Sequence, residues 1–330
     1  GPQVAILPQP KKWQKGRDLL AISQEIKVRR PTRASRRTRR GEQTRLIDQV
    51  LSDIIASLPE ENPPPRNHKS IPQIELSIVD EFDNGEKHES AEVYRLSVTP
   101  KAIRIAAHDG LGLRAGLTTL SQMVTHRDGL ALIQVSEITD WPDLPMRGFH
   151  LDLSCQALNF EYACSLLERM AAVKFNAVLL EWGDKFPFQG HQVLAHAEDA
   201  FTPRQVKQLL ALADGLGMVV IPLIQALSHT QFILRHSQFA HLSEVPGDTY
   251  ELATSNPESL VLTKQLVDQI IESHDRSPYI HLGGSLAGQL GEGVSADEVG
   301  LKGKSLVWVE YMNVISRHVQ ARGRTPICWD

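Results

Sequence analysis

The residues with the most chemistry to offer stand at the ends of short apolar segments in the second half of the chain. Asp152 lies near the end of Gly148–Leu153, Glu181-Trp182-Gly183-Asp184 follows Ala177–Leu180, and Gln225 with Ser228-His229 follows Val219–Ile224. His281 and Ser285 stand at the end of Tyr279–Leu282, and Trp329-Asp330 closes the segment that starts at Pro326. Carboxylates hydrogen-bond hydroxyls, and indole rings cover the apolar faces of pyranoses, so acids and tryptophans gathered on one rim suit a sugar. Two such carboxyls about 5–5.5 Å apart would serve as nucleophile and acid, and about 6.5–9.5 Å apart as an inverting pair.

The elements that must bring these residues together are strands alternating with helices. Thr202-Pro203-Arg204-Gln205 combines an N-cap threonine, a proline at the first helical position and a glutamine suited to a capping box. Val206, Leu209, Leu210 and Ala213 then line one face, and Gly215 and Gly217 can end the helix. Ser255-Asn256-Pro257-Glu258 repeats the start signal before Leu262, Leu266 and Ile270, while Ala163, Leu166, Leu167 and Met170 form an earlier stripe. This βα rhythm implies a parallel sheet whose polar strand ends share one rim. A (β/α)8 barrel and a doubly wound sheet both fit it.

The first half has a different rhythm. Ile74–Ile78, Tyr94–Val98 and Ala102–Ala106 alternate as half-buried strands do, and Ala115–Val124 has helical spacing, so a small α+β domain is expected. Glu61–Arg66 holds three prolines and reads as a linker or loop. Seven arginines lie between Arg29 and Arg40; a polyanion-binding arm and a solvated, mobile insertion are the two readings. The second is preferred, because no aromatic residues interleave and the net charge is −4. Nucleic acid is therefore not an expected partner. No apolar run reaches the ~18 residues of a membrane-spanning helix, so a soluble protein is expected, with the cytoplasm favoured. Cys155, Cys164 and Cys328 are odd in number and widely spaced, which predicts buried free thiols rather than a disulfide framework or a zinc site. No metal and no cofactor are expected. Gly1-Pro2 reads as a protease-cleavage scar.

Met146-Arg-Gly-Phe-His-Leu-Asp-Leu153 resembles the opening barrel strand of glycoside hydrolase family 20, the β-N-acetylhexosaminidases. Leu180–Phe188, Ile221–His229 and Tyr279–Gly293 are similar to the next three strands of its hexosaminidase D branch. Ile6–Pro10, Glu92–Leu96 and Gly116–Leu120 are similar to the small domain that precedes the barrel. The resemblance implies an α/β chain, with residues 3–144 forming the α+β domain and 145–330 the first part of a (β/α)8 TIM-type barrel. Only about five strands of that barrel fall within the chain, so a longer polypeptide, an oligomer or a second chain would be needed to complete it.

The fourth family strand reads His-x-Gly-x-Asp-Glu. The glutamic acid there protonates the leaving oxygen, and the aspartate orients the 2-acetamido group that attacks C1. Aligned without a gap from His281, this chain has Ser285 at the aspartate position and Leu286 at the glutamate position. A general acid is worth ~10²–10⁴ in rate and an electrostatic partner ~10²–10³, together ~5–9 kcal/mol of barrier. Losing both should abolish the family reaction, which predicts a non-catalytic or strongly impaired protein that binds an N-acetylhexosamine-containing glycan or a small sugar.

The resemblance further implies that Arg147 binds sugar hydroxyls, against an ion pair with Asp152. Glu181 and Asp184 are either hydroxyl ligands or a solvated loop pair, and Trp182 and Trp329 either stack on sugar or fill the barrel mouth. His229 belongs to the site network or is a structural histidine, and His281 reads as a barrel-interior residue rather than a ligand. Two other readings stay open: an active glycosidase with relocated carboxylates (Glu181, Asp184, Asp330 or Glu292), and an interaction protein needing a partner chain.

Overall fold

The computed structural model describes residues 5–31, 40–60, 71–82, 88–154 and 158–329. Gly1-Pro2, most of the arginine run, the Glu61–Arg66 segment, Cys155 and Asp330 therefore lie outside the described residues. The chain divides into two compact units, residues 1–147 with 169–175, and residues 148–168 with 176–330.

The first unit is a mixed sheet with helices on one face. Its strands are β1 (Lys12–Ile22), β2 (Lys27–Arg29), β3 (Gln73–Ile78), β4 (Tyr94–Val98), β5 (Ala102–Ala107), β6 (Thr125–Arg127) and β7 (Leu130–Asp140). They run in the order β1-β7-β4-β5-β3-β2, with β6 paired to β7. Helices α1 (Arg40–Ala56) and α2 (Gly110–Met123) cover it. Period-two alternation turns Tyr94, Leu96 and Val98 into the core and leaves Arg95 and Ser97 half exposed. Asp109 caps α2, its carboxylate accepting from the N–H groups of Leu111 and Gly112. Gly112 and Gly116 let that helix lie close against the sheet. A Cβ at Gly112 would sit 2.4 Å from the Val93 carbonyl oxygen, and one at Gly116 2.6 Å from Ile105 Cγ2.

The second unit alternates strands and helices as its rhythm predicts: β8 (Gly148–Asp152), α3 (Phe160–Ala172), β9 (Ala177–Glu181), α4 (Pro203–Gly215), β10 (Val219–Leu223), α5 (Gln231–Leu234), α6 (Pro257–Ser273), β11 (Tyr279–His281), α7 (Ala296–Lys302), α8 (Lys304–Ala321) and β12 (Thr325–Ile327). All five strands are parallel, in the order β12-β11-β10-β9-β8. Each new strand joins the same growing edge, so the described sheet has no reversal of strand order. A doubly wound sheet requires one, and the arrangement is instead a partial (β/α)8 barrel. The capping box at Thr202 and Gln205 is present, and Asn256 caps α6 through the Glu258 N–H. Leu210 is half-buried beside the buried Val206, Leu209 and Ala213. Cys164 and Cys328 are free but half-buried, not fully buried as expected. Among the described residues no helix is long and apolar enough to cross a membrane.

Candidate functional site

Strand register decides which side chains can meet. Asp152 pairs with Glu181, Glu181 with Leu223, Leu223 with His281 and His281 with Ile327. Paired residues point to the same side of a sheet, and so do residues two apart. His150, Asp152, Glu181, Gln225, His281 and Trp329 therefore share one face, the interior of the partial barrel. The alternate residues Leu151, Val178, Leu180 and Ile280 are at most 4% exposed and fill the opposite face.

On the interior face Glu181 links two of the other polar groups, His150 and Gln225. Glu181 is buried; its Oε2 lies 2.9 Å from His150 Nε2, and its Oε1 accepts from Gln225 Nε2 at 2.7 Å. The hydrogen bond to Glu181 raises the His150 pKa, overcoming the opposing effect of burial. Burial pushes His281 down to about 4, aided by the neighbouring His150 charge. Neutral His281 accepts the Gly283 N–H at Nδ1 (3.0 Å), which leaves its proton on Nε2. The Trp329 ring lies 4.4 Å from His281 and 6.3 Å from His150, centre to centre. Asp152 is turned back on its own loop, accepting from the N–H and hydroxyl of Ser154.

Beyond β11 the chain makes a sharp turn. Gly283 has φ +68°, and a Cβ there would lie 2.1 Å from Gln225 Oε1, so both conformation and space demand glycine. Gly284 receives the Trp308 indole N–H on its carbonyl at 2.9 Å. Ser285 is half-buried, and its carbonyl accepts from the Ser228 hydroxyl. Leu286 is 73% exposed at φ +52°, a backbone region that leucine seldom occupies. Tyr250 donates to the Leu286 carbonyl at 3.2 Å, and its hydroxyl lies 3.1 Å from His229 Nε2. His229 thus stands beside the turn, while His281 is an interior residue.

Four expected site residues have other surroundings. Arg147 precedes β8 and belongs to the first unit, at the opposite end of that strand from Asp152. Its guanidinium grips Glu92 with two bonds of 2.6 and 3.1 Å and donates to the carbonyls of Leu144 and Lys174. These partners belong to the first unit rather than to the strand ends that carry Asp152 and Glu181. Trp182 is 1% exposed on the face opposite Glu181, edge-on to Phe186, Phe201 and His274, and its indole N–H donates to His274 Nε2 at 3.0 Å. It presents no ring face to a sugar. Glu181 and Asp184 are not a solvated pair: both are buried, and Asp184 accepts from Arg235 at 3.1 Å with the Lys185 ammonium 3.8 Å away.

His150 was missed, although its i, i+2 relation to Asp152 marked it as a residue of the same face. Tyr250 and Trp308 carried no such signal, because both reach the turn from distant connections. No group of three or more His, Cys, Asp or Glu suited to a metal occurs among the described residues.

Residues 3–141 match the family model described as glycosyl hydrolase family 20, domain 2. Hexosaminidase D of Bos taurus is 33% identical over 190 residues, covering 56% of this chain and 55% of that protein. The Homo sapiens hexosaminidase D is 33% identical over 192 residues, covering 56% of this chain and 39% of its own length. The chain thus spans about half the length, or less, of these curated relatives. Among solved structures, the chitobiase of Flavobacterium johnsoniae matches with a TM-score of 0.76 at 18% identity, over 98% of this chain and 52% of that one. The N-acetyl-β-hexosaminidase of Streptomyces plicatus matches with 0.73 at 19% identity, over 98% of this chain and 65% of that one. A variant of that enzyme holding GlcNAc as product matches with 0.71, at 19% identity and over 98% of this chain and 65% of that one. Residues 3–141 are thus similar to the second domain of glycosyl hydrolase family 20, the chain is similar in sequence to hexosaminidase D, and its fold is that of the solved β-N-acetylhexosaminidases.

Proposed function

We propose that this chain is a hexosaminidase-type protein, 3–144 being the small domain and 145–330 the start of the barrel, which has lost substrate-assisted hydrolysis and keeps a site for a terminal N-acetylhexosamine. The observation that carries the reading is the pair Ser285-Leu286, which follows His281-Leu-Gly-Gly where the family motif continues Asp-Glu. Serine can hydrogen-bond an acetamido group but cannot offset the positive charge that develops on it, and leucine transfers no proton.

The interior face supports this reading, because its carboxylates are already engaged. Both oxygens of Glu181 have partners, Asp184 is tied to Arg235, and Asp152 is turned to Ser154. A relocated acid would need a carboxyl that reaches the sugar and holds a proton. Trp329, with His150 and His281 beside it, supplies the aromatic wall and hydrogen-bonding groups that a pyranose ring uses, and the GlcNAc-bound relatives make that ligand the first to test.

Isothermal calorimetry of the unmodified protein tests retained binding. N-acetylglucosamine, N-acetylgalactosamine or an oxazoline mimic should give saturable heat that Trp329→Ala reduces at least tenfold in affinity. Absence of heat with all three would end the binding half of the proposal.

A further inference from the structure

The loop that carries Ser285 and Leu286 is held from beneath by two carboxylates, Glu244 and Glu251, both fully buried. Glu244 Oε1 accepts from the N–H groups of Gly291 (3.1 Å), Gly293 (3.3 Å) and Ser295 (3.1 Å), and from the Ser295 hydroxyl (2.6 Å). Glu251 Oε2 accepts from the Gln289 N–H at 3.1 Å. Backbone contacts tie the carboxylates to each other and to the loop: the Glu244 N–H donates to the Glu251 carbonyl at 2.9 Å, and Val294 N–H to the Glu244 carbonyl at 2.8 Å. Gly293 passes so close that a Cβ would lie 1.9 Å from the Glu244 carbonyl oxygen.

Each carboxylate has one oxygen left over. Glu244 Oε2 and Glu251 Oε1 are buried, and no described group donates to either. A buried acceptor without a donor is costly, and two charged carboxylates cannot serve each other. A proton on Glu251 cancels one of these two buried charges. The other charged groups facing Glu251 are Glu244 and Glu292, which oppose its ionisation, and Lys304, which favours it. Lys304 also binds the loop directly, donating to the Gly288 carbonyl at 2.6 Å. Asp248, at the surface, is hydrogen-bonded to the Gln289 side chain.

We propose that Glu251 is a proton-operated latch: the neutral acid seats residues Gln289–Ser295, and its ionisation loosens the segment leading away from Leu286. The latch does not depend on whether the site binds a sugar. Burial above all pushes Glu251 up from its ordinary 4.5 to about 7. A raised carboxyl pKa favours the seated loop fully below 4.5, and the preference is lost as pH rises through about 7. Between pH 6 and 8 that linkage amounts to roughly tenfold in the seated-to-loose ratio.

Hydrogen–deuterium exchange of the whole chain, corrected for the intrinsic effect of pH on exchange, tests the latch. Peptides spanning 286–295 should lose about tenfold in protection between pH 6 and 8, while α4 keeps its own. Glu251→Gln cannot ionise and should hold the same protection at both values. Equal protection of the unmodified loop at pH 6 and 8, or a variant that follows the unmodified curve, would overturn the proposal. Should Glu251→Gln not fold, carbon-13 titration of the Glu251 carboxyl in the unmodified protein decides: a midpoint near 7 supports the latch and one below about 5 refutes it.

Discussion

Two side chains bear the proposed loss of hydrolysis, and they fail in different ways. Leu286 has no proton to give, and Ser285 has no charge to set against a developing cation. Restoring both groups, Ser285→Asp with Leu286→Glu, should produce turnover of a nitrophenyl N-acetyl-β-hexosaminide at least ~10²-fold above the unmodified protein, the lower bound for a single general acid. A restored pair that stays silent would mean the interior face no longer seats the sugar. At Glu181 the expectation concerns a pKa. Its carboxylate raises His150, so Glu181→Gln should bring the His150 midpoint, read by NMR, down towards the ordinary 6.5. The stability this pair contributes is complete below 6.5 and is lost as pH rises through the raised His150 value. An unchanged midpoint would remove Glu181 as the cause. Single residues were the least legible feature of the sequence. Trp182 and Asp184 stand next to Glu181 in the chain, yet period-two alternation turns Trp182 to the other face, and a distant Arg235 claims Asp184. Arg147 likewise spends its guanidinium on Glu92, 55 positions away. Partners so far apart in sequence leave no local trace.

Elements were easier to read. The five barrel strands fall within a residue or two of the apolar segments that predict them, and the α4 and α6 starts coincide with their capping signals. β1, β7, α1 and α8 carried weaker marks. β1 and β7 form an antiparallel pair whose exposed face breaks the apolar alternation, and a register shift between Lys15 and Leu19 breaks it again. Tight packing is testable at this scale. Gly112→Ala forces a Cβ against the Val93 backbone and should cost about 1–3 kcal/mol in a denaturant titration. Gly300→Ala, in α7 with open space around it, should be neutral or stabilising by up to ~1 kcal/mol. Equal effects at the two sites would show that α2 does not depend on the close approach.

For the whole molecule, the parallel sheet without a reversal separates the barrel from the doubly wound alternative, a distinction that βα rhythm alone cannot make. The barrel brings residues from β8, β9 and β11, and Trp329 just after β12, onto one face, so the proposed sugar site does not depend on any single strand. In the proposed reading binding and catalysis are separable, because a pyranose would be held by rings and hydrogen bonds spread over several strands, whereas proton transfer would rest on one position. Turnover of nitrophenyl N-acetyl-β-glucosaminide by the unmodified protein, followed to long times with its mass verified, measures that separation most directly. The account predicts release of nitrophenol no faster than in buffer; brisk, saturable release with Ser285 and Leu286 in place would contradict it.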